Sequence, residues 1–400
     1  MPTALRHFHR AALIAAAFPV SFLASAAPTV APSPSLPLYG QAVSVELRDS
    51  QPVFLPATRY TRNGNTIEVD FEYHGSFYGP YPPNMGSMPV PLGELAPGNY
   101  TLSARLFDMD RPGSGPTMTT TNLPVVPPQE WGAYLVPKEP RAYEIVEVMV
   151  KSAAYFDPRS MKVSRNGSTI RVDFDYLASA PAAGASTPAG MTTFASIPVG
   201  GLAPGQYRVE AWGRPSTGGT SEKFFTRDFQ AASQAYVVEY YHEQLDHYFI
   251  AASPDEIALL DGGGQGGWKR TGQRFQAWSR ASDAPPGAVP VCRFYAKGPN
   301  SHFYTGDASE CAQVKQWEEG QRAIATSEGK PFAGWAYEGT AFYALVPQNG
   351  QCPASTTPVY RAYNMRAQYM DSNHRFMADP AVRSSMAGWA DEGAQFCSPA

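Results

Sequence analysis

The sequence predicts a mostly β protein in which two β-sandwich domains precede a three-fold pseudosymmetric, β-rich repeat module with short helices. Three observations carry this prediction. The 400-residue chain contains 38 Pro and 35 Gly but only 16% charged residues, which favours short strands joined by turns over long helices. One alternating strand pattern occurs twice, and a different aromatic pattern occurs three times near the C-terminus.

The first 26 residues have the pattern of a secretory signal peptide. Two arginines precede an apolar run, and the small residues Ala24 and Ala26 form an A-x-A cleavage site. The run contains Pro19 and is short for a bilayer, and no later segment offers the roughly 20 apolar residues that a membrane helix needs. We therefore expect residues 1–26 to be removed by cleavage near Ala26. The mature chain is predicted to be secreted, periplasmic or extracellular, and to have no membrane span.

The charge of the mature chain is mildly acidic. The full chain has 31 Lys and Arg against 35 Asp and Glu, so loss of Arg6 and Arg10 with the signal peptide changes the net charge from −4 to −6. Acidic and basic residues are dispersed along the chain. This balance argues against nucleic acid or an anionic lipid surface as the main partner.

The duplicated strand pattern lies at residues 62–73 and 165–176, which read RNGNTIEVDFEY and RNGSTIRVDFDY. Each Asn-Gly pair predicts a type I′ hairpin turn, because both residues accept the positive φ that this turn requires. The apolar residues that follow alternate with charged ones. This period of two predicts a strand with one buried face.

A second pattern follows in each copy, at residues 91–108 and 198–214. Leu-Ala-Pro-Gly precedes Tyr100 or Tyr207, an arrangement that resembles the tyrosine corner of immunoglobulin-like sandwiches. We therefore predict two immunoglobulin-like domains. The predicted boundaries are a Pro/Ser-rich spacer at 27–37, sandwich domains at 38–127 and 141–232, and a proline-rich linker at 128–140.

The repeat module covers residues 236–399. Its three copies end in GWKRTGQRF, GWAYEGTAF and GWADEGAQF, and each copy contains an earlier aromatic stretch led by His247, His302 or His374. One unit thus predicts a strand, a His-led strand, a short helix and a Gly-Trp strand. Three units that each lack a core must bury their apolar faces against one another, which predicts a closed module.

Each predicted helix has a start signal. Ser253 and Asp307 are each followed three residues later by Glu, as in a capping box, and Asp379 precedes a proline at the first helical position. We therefore interpret these recurring polar residues as helix caps and not as catalytic groups.

The patterns H-F-Y-T at 302–305 and G-W-x-x-E-G-x-x-F at 334–342 resemble the repeats of a secreted bacterial and fungal family of unknown function. The resemblance covers 236–399 and is strongest in the middle unit. Unit one departs from the pattern, with Thr271 in the place of the glutamate. The resemblance implies a module at the end of an exported protein, and it implies no activity.

All four cysteines lie in the last third of the chain. An even number in an exported chain predicts two disulfides, for which three pairings are possible. We favour the two pairings that would tie the ends of one unit each. These are Cys292–Cys311 and Cys352–Cys397.

Metal-binding and catalytic alternatives were weighed against a purely structural role. His247, His302 and His374 could meet on a three-fold axis and bind Zn²⁺, but a partly buried histidine on an aromatic strand is the more ordinary interpretation. No G-x-S-x-G elbow, H-E-x-x-H motif or phosphate loop occurs. We therefore predict no metal, no cofactor and no enzymatic activity. The alternative is a secreted hydrolase or metal-binding protein with its site in the repeat module.

The aromatic residues favour a binding function, because rings beside glycines and polar groups build shallow sites for sugars or peptides. Tyr78 and Tyr81 form a second candidate surface, since the matching loop of the other sandwich has almost no aromatics. We predict a non-catalytic surface-binding or adhesion protein. Its expected ligand is carbohydrate or cell-wall material, with an extracellular protein as the other possibility. The candidates in the middle unit are His302, Tyr304, Trp335, Tyr337 and Glu338.

Overall fold

The computed structural model describes residues 29–48, 59–73, 89–109, 113–178 and 188–400. These residues form a mostly β fold, as predicted, and the α-helices among them all lie in the repeat module. The predicted signal peptide and the loop with Tyr78 and Tyr81 lie outside the described residues. Within the described ranges, no helix is both long enough and apolar enough to cross a membrane.

The first domain, sandwich 1, consists of two facing sheets. Its described strands are β1 (Thr29–Ser33), β2 (Ala42–Arg48), β3 (Arg59–Asn63), β4 (Thr66–Tyr73), β5 (Val90–Glu94), β6 (Gly98–Asp108) and β7 (Thr117–Val125). One sheet has the order β1-β2-β5, and β3-β4-β6-β7 form the other. The apolar residues of the predicted alternation, Ile67, Val69 and Phe71, are buried between the sheets.

The second domain, sandwich 2, repeats this strand pattern, but pairing of Tyr176 with Phe156 joins its two groups of strands into one sheet. Its strands are β8 (Gly132–Val136), β9 (Ile145–Phe156), β10 (Lys162–Asn166), β11 (Thr169–Tyr176), β12 (Thr192–Gly201), β13 (Gly205–Pro215) and β14 (Glu222–Ala231). The first four begin 103 residues after their counterparts, from 29 to 132, 42 to 145, 59 to 162 and 66 to 169. The duplication seen in the sequence is therefore a duplication of whole strand sets.

The strand arrangement corrects one part of the prediction. Strand β4 runs parallel to β6, and β11 runs parallel to β13. Sheets of the immunoglobulin type are antiparallel, so these domains are sandwich-like but do not have the purely antiparallel pairing of that type. The tyrosine corner is present all the same. The hydroxyl of Tyr100 donates to the carbonyl of Ala96 at 2.8 Å, and that of Tyr207 donates to Ala203 at 2.9 Å.

Parts of the predicted spacer and linker are strands. Thr29–Ser33 of the spacer pairs with β2, and Gly132–Val136 of the linker pairs with β9. Proline lacks a backbone donor but is accepted on an edge strand, and β1 lies at the edge of its sheet. A proline-rich composition therefore did not exclude pairing.

Each unit of the repeat module is a three-stranded antiparallel sheet with one helix. Unit one contains β15 (Ala235–His242), β16 (His247–Ala251), α1 (Pro254–Asp261) and β17 (Trp268–Ala277). Unit two contains β18 (Val289–Ala296), β19 (Ser301–Thr305), α2 (Ala308–Ser327) and β20 (Trp335–Ala344). Unit three contains β21 (Thr356–Tyr363), β22 (His374–Met377), α3 (Pro380–Ser384) and β23 (Ala390–Pro399). The first strand of each unit is the central one.

The three units share one core. In each unit a valine of the first strand lies opposite a phenylalanine of the third strand. All six side chains are buried in a single cluster. Because the units contribute equivalent residues to the same cluster, they bury their apolar faces against one another. The pairs are Val237 with Phe275, Val291 with Phe342, and Val359 with Phe396.

Helix α2 is longer than predicted. It has 20 residues and lies on the outside of the module, where Cys311 is its only fully buried residue. Asp307 caps it by accepting a hydrogen bond from the Glu310 amide, and Asp379 caps α3 in the same way. Ser253 occupies the predicted N-cap position of α1, but its side chain makes no capping hydrogen bond, so the capping box expected there does not form.

The two favoured disulfides are the ones that form. Cys352–Cys397 joins the segment before β21 to β23 and so ties the ends of unit three. Cys292–Cys311 joins β18 to α2, and it therefore attaches the helix and does not close unit two.

The repeat module and the sandwiches are in direct contact. Strand β17 bridges to β3, which joins unit one and sandwich 1 in one seven-stranded sheet. Across this junction Lys269 Nζ lies 2.8 Å from Asp70 Oδ2. Sandwich 2 contacts the module through Tyr143, whose hydroxyl donates to Asp283 at 3.0 Å. Three parts of the chain therefore meet around unit one.

Candidate functional site

The predicted residues of the middle unit do not form one site. Tyr304 is 2% exposed, and its hydroxyl donates to the carbonyl of Ile250 at 2.7 Å, so it belongs to the core. Trp335 packs against the cluster around the Cys292–Cys311 disulfide. Tyr304 therefore fills the interior and is not free to stack on a ligand, whereas Trp335 is partly buried.

Tyr337 lies on the outer surface. Its side chain is 37% exposed, and the ammonium of Lys315 lies 3.6 Å from the centre of its ring. The backbone amide of Tyr337 donates to Glu318 of α2 at 2.8 Å. Tyr337 therefore faces α2 with one side of its ring and packs against the buried Phe294 of its own unit, whose ring centre lies 5.3 Å away.

Glu338 is part of an ion pair between units one and two. Its carboxylate lies 2.9 Å from Nε of Arg293 and 3.3 Å from His302. Arg293 also donates to Glu256 of unit one at 2.9 and 3.0 Å. Burial alone would raise the pKa of Glu338, but His302 and Arg293 outweigh that effect and lower it. Glu338 and His302 are thus brought together, in a cluster that joins two units.

The same arrangement recurs between units two and three. Arg361 lies 2.5 Å from Glu392 of its own unit and 3.1 Å from Glu310 of unit two. His374 lies beside this pair, and burial together with Arg361 lowers the pKa of His374 to about 3. The imidazole is therefore neutral at physiological pH.

Between units three and one the charges are reversed. Glu239 occupies the place of the arginine, and Thr271 in the place of the glutamate donates to it at 2.8 Å. The cation comes from Arg375 of unit three, which contacts Glu239 at 2.9 Å, and both side chains are 2% exposed. The glutamate of the repeat pattern therefore has a structural role, because it pairs with an arginine of the first strand in units two and three. In unit one the first strand carries the negative charge instead, and the arginine comes from unit three.

The three repeat histidines are not equivalent. In the pairing with the first strands, His302 and His374 occupy the same position, whereas unit one places Tyr248 there. His247 falls one position earlier. In the part of the chain that the structure describes, no group of three or more His, Cys, Asp or Glu side chains could hold a metal ion. The three histidines are therefore not gathered into one group.

A groove of about 780 Å³ lies where sandwich 1, sandwich 2 and unit one meet. By contrast, a cavity of about 160 Å³ beside Arg293 and Glu338 is small and bordered by ion-paired groups. The groove is the larger of these two concave sites and falls within the usual size range of ligand pockets.

Aromatic rings from all three parts line the groove. Tyr60 comes from β3, Tyr143 from the segment before β9, and Tyr236 and Trp268 from unit one. All four are partly exposed. Trp268 is held by edge contact with His242 and by packing against Phe249, whose ring centre lies 5.6 Å away. The groove therefore offers flat apolar surfaces in fixed positions.

Polar groups lie between these rings. The guanidinium of Arg274 lies 3.7 Å from the ring centre of Tyr236. Glu144 accepts a hydrogen bond from the backbone amide of Arg141 at 3.1 Å. Burial raises the pKa of Glu144, and Glu94 adds to this, while Arg274 and Arg141 oppose it. The groove combines aromatic faces with charged and hydrogen-bonding polar groups.

Sequence reasoning missed this groove because its walls come from three distant segments, near residues 60–95, 136–147 and 235–274. One signal was available. Unit one lacks the Tyr and Glu of the repeat pattern and has Lys269, Arg270 and Thr271 instead, and the first two of these line the groove.

Residues 236–399 match a family described as a domain of unknown function, DUF5648. The match covers the whole repeat module and agrees with the predicted resemblance to a repeat family of unknown function. No curated protein and no solved structure matches the chain.

Proposed function

We propose that this chain, whose C-terminal module matches a domain of unknown function, is an exported, non-catalytic surface-binding protein that holds carbohydrate in the groove. The observation that carries the proposal is the groove of about 780 Å³ with the rings of Tyr60 and Trp268 beside polar groups. Sugar rings present apolar faces that stack on aromatic side chains, and their hydroxyls need hydrogen-bonding partners between those faces.

Two further features support an exported role. The N-terminal pattern is that of a cleaved signal peptide. The two disulfides fit an oxidising compartment such as the periplasm or the extracellular space. A cell-wall or surface glycan is therefore the kind of ligand that the protein meets in its compartment.

A secreted hydrolase is the second candidate function, now placed at the groove. The observation in its favour is Glu144, a groove carboxyl whose pKa is raised by burial, as a general acid requires. Glycoside hydrolysis would need a second carboxylate across the scissile bond. Product analysis after incubation with glycans separates the two functions, because a binding protein releases no shortened chains.

The test is a glycan array followed by calorimetric titration of the full chain. We expect Trp268→Ala and Arg274→Ala to weaken binding of the best glycan by about tenfold, because a stacking face or a donor is removed. Tyr337→Ala is the matched control, since this exposed ring lies outside the groove. Thermal melts of each variant confirm folding. Loss of binding in Tyr337→Ala alone, or no binding to any glycan, would overturn the proposal.

A further inference from the structure

The cationic side chains of the groove are already engaged. Arg270 donates to Asp261 through two bonds of 2.7 Å each, and Lys269 contacts Asp70 at 2.8 Å. Arg62 lies 4.0 Å from Glu147. These pairs neutralise the cations locally, so they contribute little attraction for an anionic ligand.

Several carboxylates of the groove remain without such a partner. Glu94 and Glu144 accept hydrogen bonds only from backbone amides, and Glu139 and Asp255 are exposed. Within the described ranges none of these four forms an ion pair. Arg274 is the one lining cation that lacks an ion pair there, so the unpaired charges of the groove are predominantly negative.

The aromatic walls of the groove already hold cations. Guanidinium groups lie over the rings of Tyr236, Tyr240 and Tyr143, at 3.7, 5.8 and 4.6 Å from the ring centres. Each of these contacts shows that a positive group is accommodated against a ring at this junction. The rings of Trp268 and Tyr60 are partly exposed, and no cation from the described part of the chain lies over either of them.

We propose that the groove selects oligosaccharides that carry free amino groups over their neutral, acylated counterparts. This inference rests on the proposed carbohydrate-binding function and specifies its ligand class. Sugar faces stack on Trp268 and Tyr60, while ammonium groups approach the exposed, unpaired carboxylates Glu139 and Asp255. A neutral glycan of the same length makes the first kind of contact and lacks the second.

The experiment compares a β-1,4-linked glucosamine hexamer with its fully N-acetylated form, by calorimetric titration of the full chain in mild acid, where the sugar amines are largely protonated. We expect the amino hexamer to bind about tenfold more tightly, with a preference that shrinks as salt is added. Equal or tighter binding of the acetylated hexamer would overturn the ligand class and leave carbohydrate binding intact. Failure of both hexamers and of the glycan array would overturn both.

Charge-neutralising variants localise the effect. Glu139→Gln with Asp255→Asn should reduce the preference for the amino hexamer severalfold, because binding of the amino hexamer weakens more than binding of the acetylated hexamer. Both residues are exposed, so folding should be unaffected. Glu319→Gln on the outer helix α2 is the matched control, since it removes an exposed carboxylate far from the groove lining. An unchanged preference in the double variant, or an equal reduction in the control, contradicts the inference.

Discussion

Glu239 stands where the other two units have an arginine, and its negative charge is balanced inside the module by Arg375. Both side chains are 2% exposed, and two bonds of 2.9 and 3.0 Å join them across the interface of units one and three. Thr271 supplies a further donor. A buried ion is tolerated only when it is paired, so each member depends on the other.

We predict that Glu239→Gln destabilises the repeat module by about 3–5 kcal/mol, because Arg375 is left buried without its counter-charge. Urea unfolding of the full chain, followed by tryptophan fluorescence, measures the change. Asp228→Asn is the control, since Asp228 and Arg208 form a fully exposed pair, and the unfolding curve should not move. Equal curves for the Glu239 variant and the wild type would contradict the prediction.

At the residue scale the sequence predicted what depends on local chemistry. Tyr100 and Tyr207 form the expected bonds, and the cysteines pair as favoured. His247 was predicted to be equivalent to His302 and His374, but it lies one residue before the equivalent position, which Tyr248 occupies. A shift of one residue moves a side chain to the other face of a strand, and this register is fixed by pairing that no local pattern reveals.

Elements with clear periodicity were predicted well. Strands β4 and β11 follow from Asn-Gly turns and strict alternation, and both occur where expected. Strands β1 and β8 were assigned to a spacer and a linker, because their composition lacks alternation and their stability comes from a neighbouring strand. The length of α2 was missed because its sequence is polar, so that little apolar periodicity marks it.

The two disulfides should contribute unequally at the level of elements. Cys352–Cys397 closes a segment with a sequence separation of 45, against 19 for Cys292–Cys311. In the chain-entropy description, this corresponds to about 4 and about 3 kcal/mol of stabilisation, respectively. We therefore expect Cys352→Ala/Cys397→Ala to lower the unfolding free energy of the module more than Cys292→Ala/Cys311→Ala does.

Chemical denaturation of both double variants checks this order, and the wild type in a reducing agent gives the limit in which both bonds are open. A larger loss in the variant without Cys292–Cys311 would show that attachment of α2 to β18 matters more than loop length.

At the scale of the whole molecule, sandwich 1 and unit one form one sheet, and Asp70 lies at their junction. This carboxylate is buried and contacts Arg59 at 3.2 Å, Arg105 at 2.6 Å and Lys269 at 2.8 Å. Burial alone would raise the pKa of Asp70, but the hydrogen bonds from Arg105 and Lys269 outweigh it and lower the pKa. The attachment of the module therefore depends on an ionised group.

We predict that Asp70→Asn weakens this attachment at neutral pH and that the difference from the wild type shrinks in acid. The folded pKa lies below the unfolded value of about 3.9, so the stabilisation is present above that value and is lost as pH falls through the folded pKa. Hydrogen exchange at β3 and β17 should be faster in the variant at neutral pH, and the two proteins should converge as pH falls through the folded pKa of Asp70.

Asp175→Asn is the control, because Asp175 pairs with Arg214 within sandwich 2. A difference between Asp70→Asn and wild type that persists unchanged in acid would contradict the assignment to an ionised carboxylate.

The groove illustrates what sequence reasoning could not supply. Its residues belong to three parts of the chain that are brought together only by the junction of the domains. No spacing rule connects Tyr60 with Glu144 or Trp268, so the candidate site became visible only in three dimensions. The general expectation of aromatic carbohydrate binding stays a prediction, with its location moved from the middle unit to the junction.

The reversed charges between units three and one make this interface different from the other two. Three identical repeats would lack this difference, which determines which units can pack together. Arg375 of unit three meets Glu239 of unit one, whereas units two and three offer Arg293 and Arg361 at the equivalent place. If unit three docked on either of those units in a neighbouring molecule, two arginines would face each other. The interface between units three and one therefore favours closure of the module within one chain. It disfavours the exchange of units between copies, which would otherwise build domain-swapped polymers.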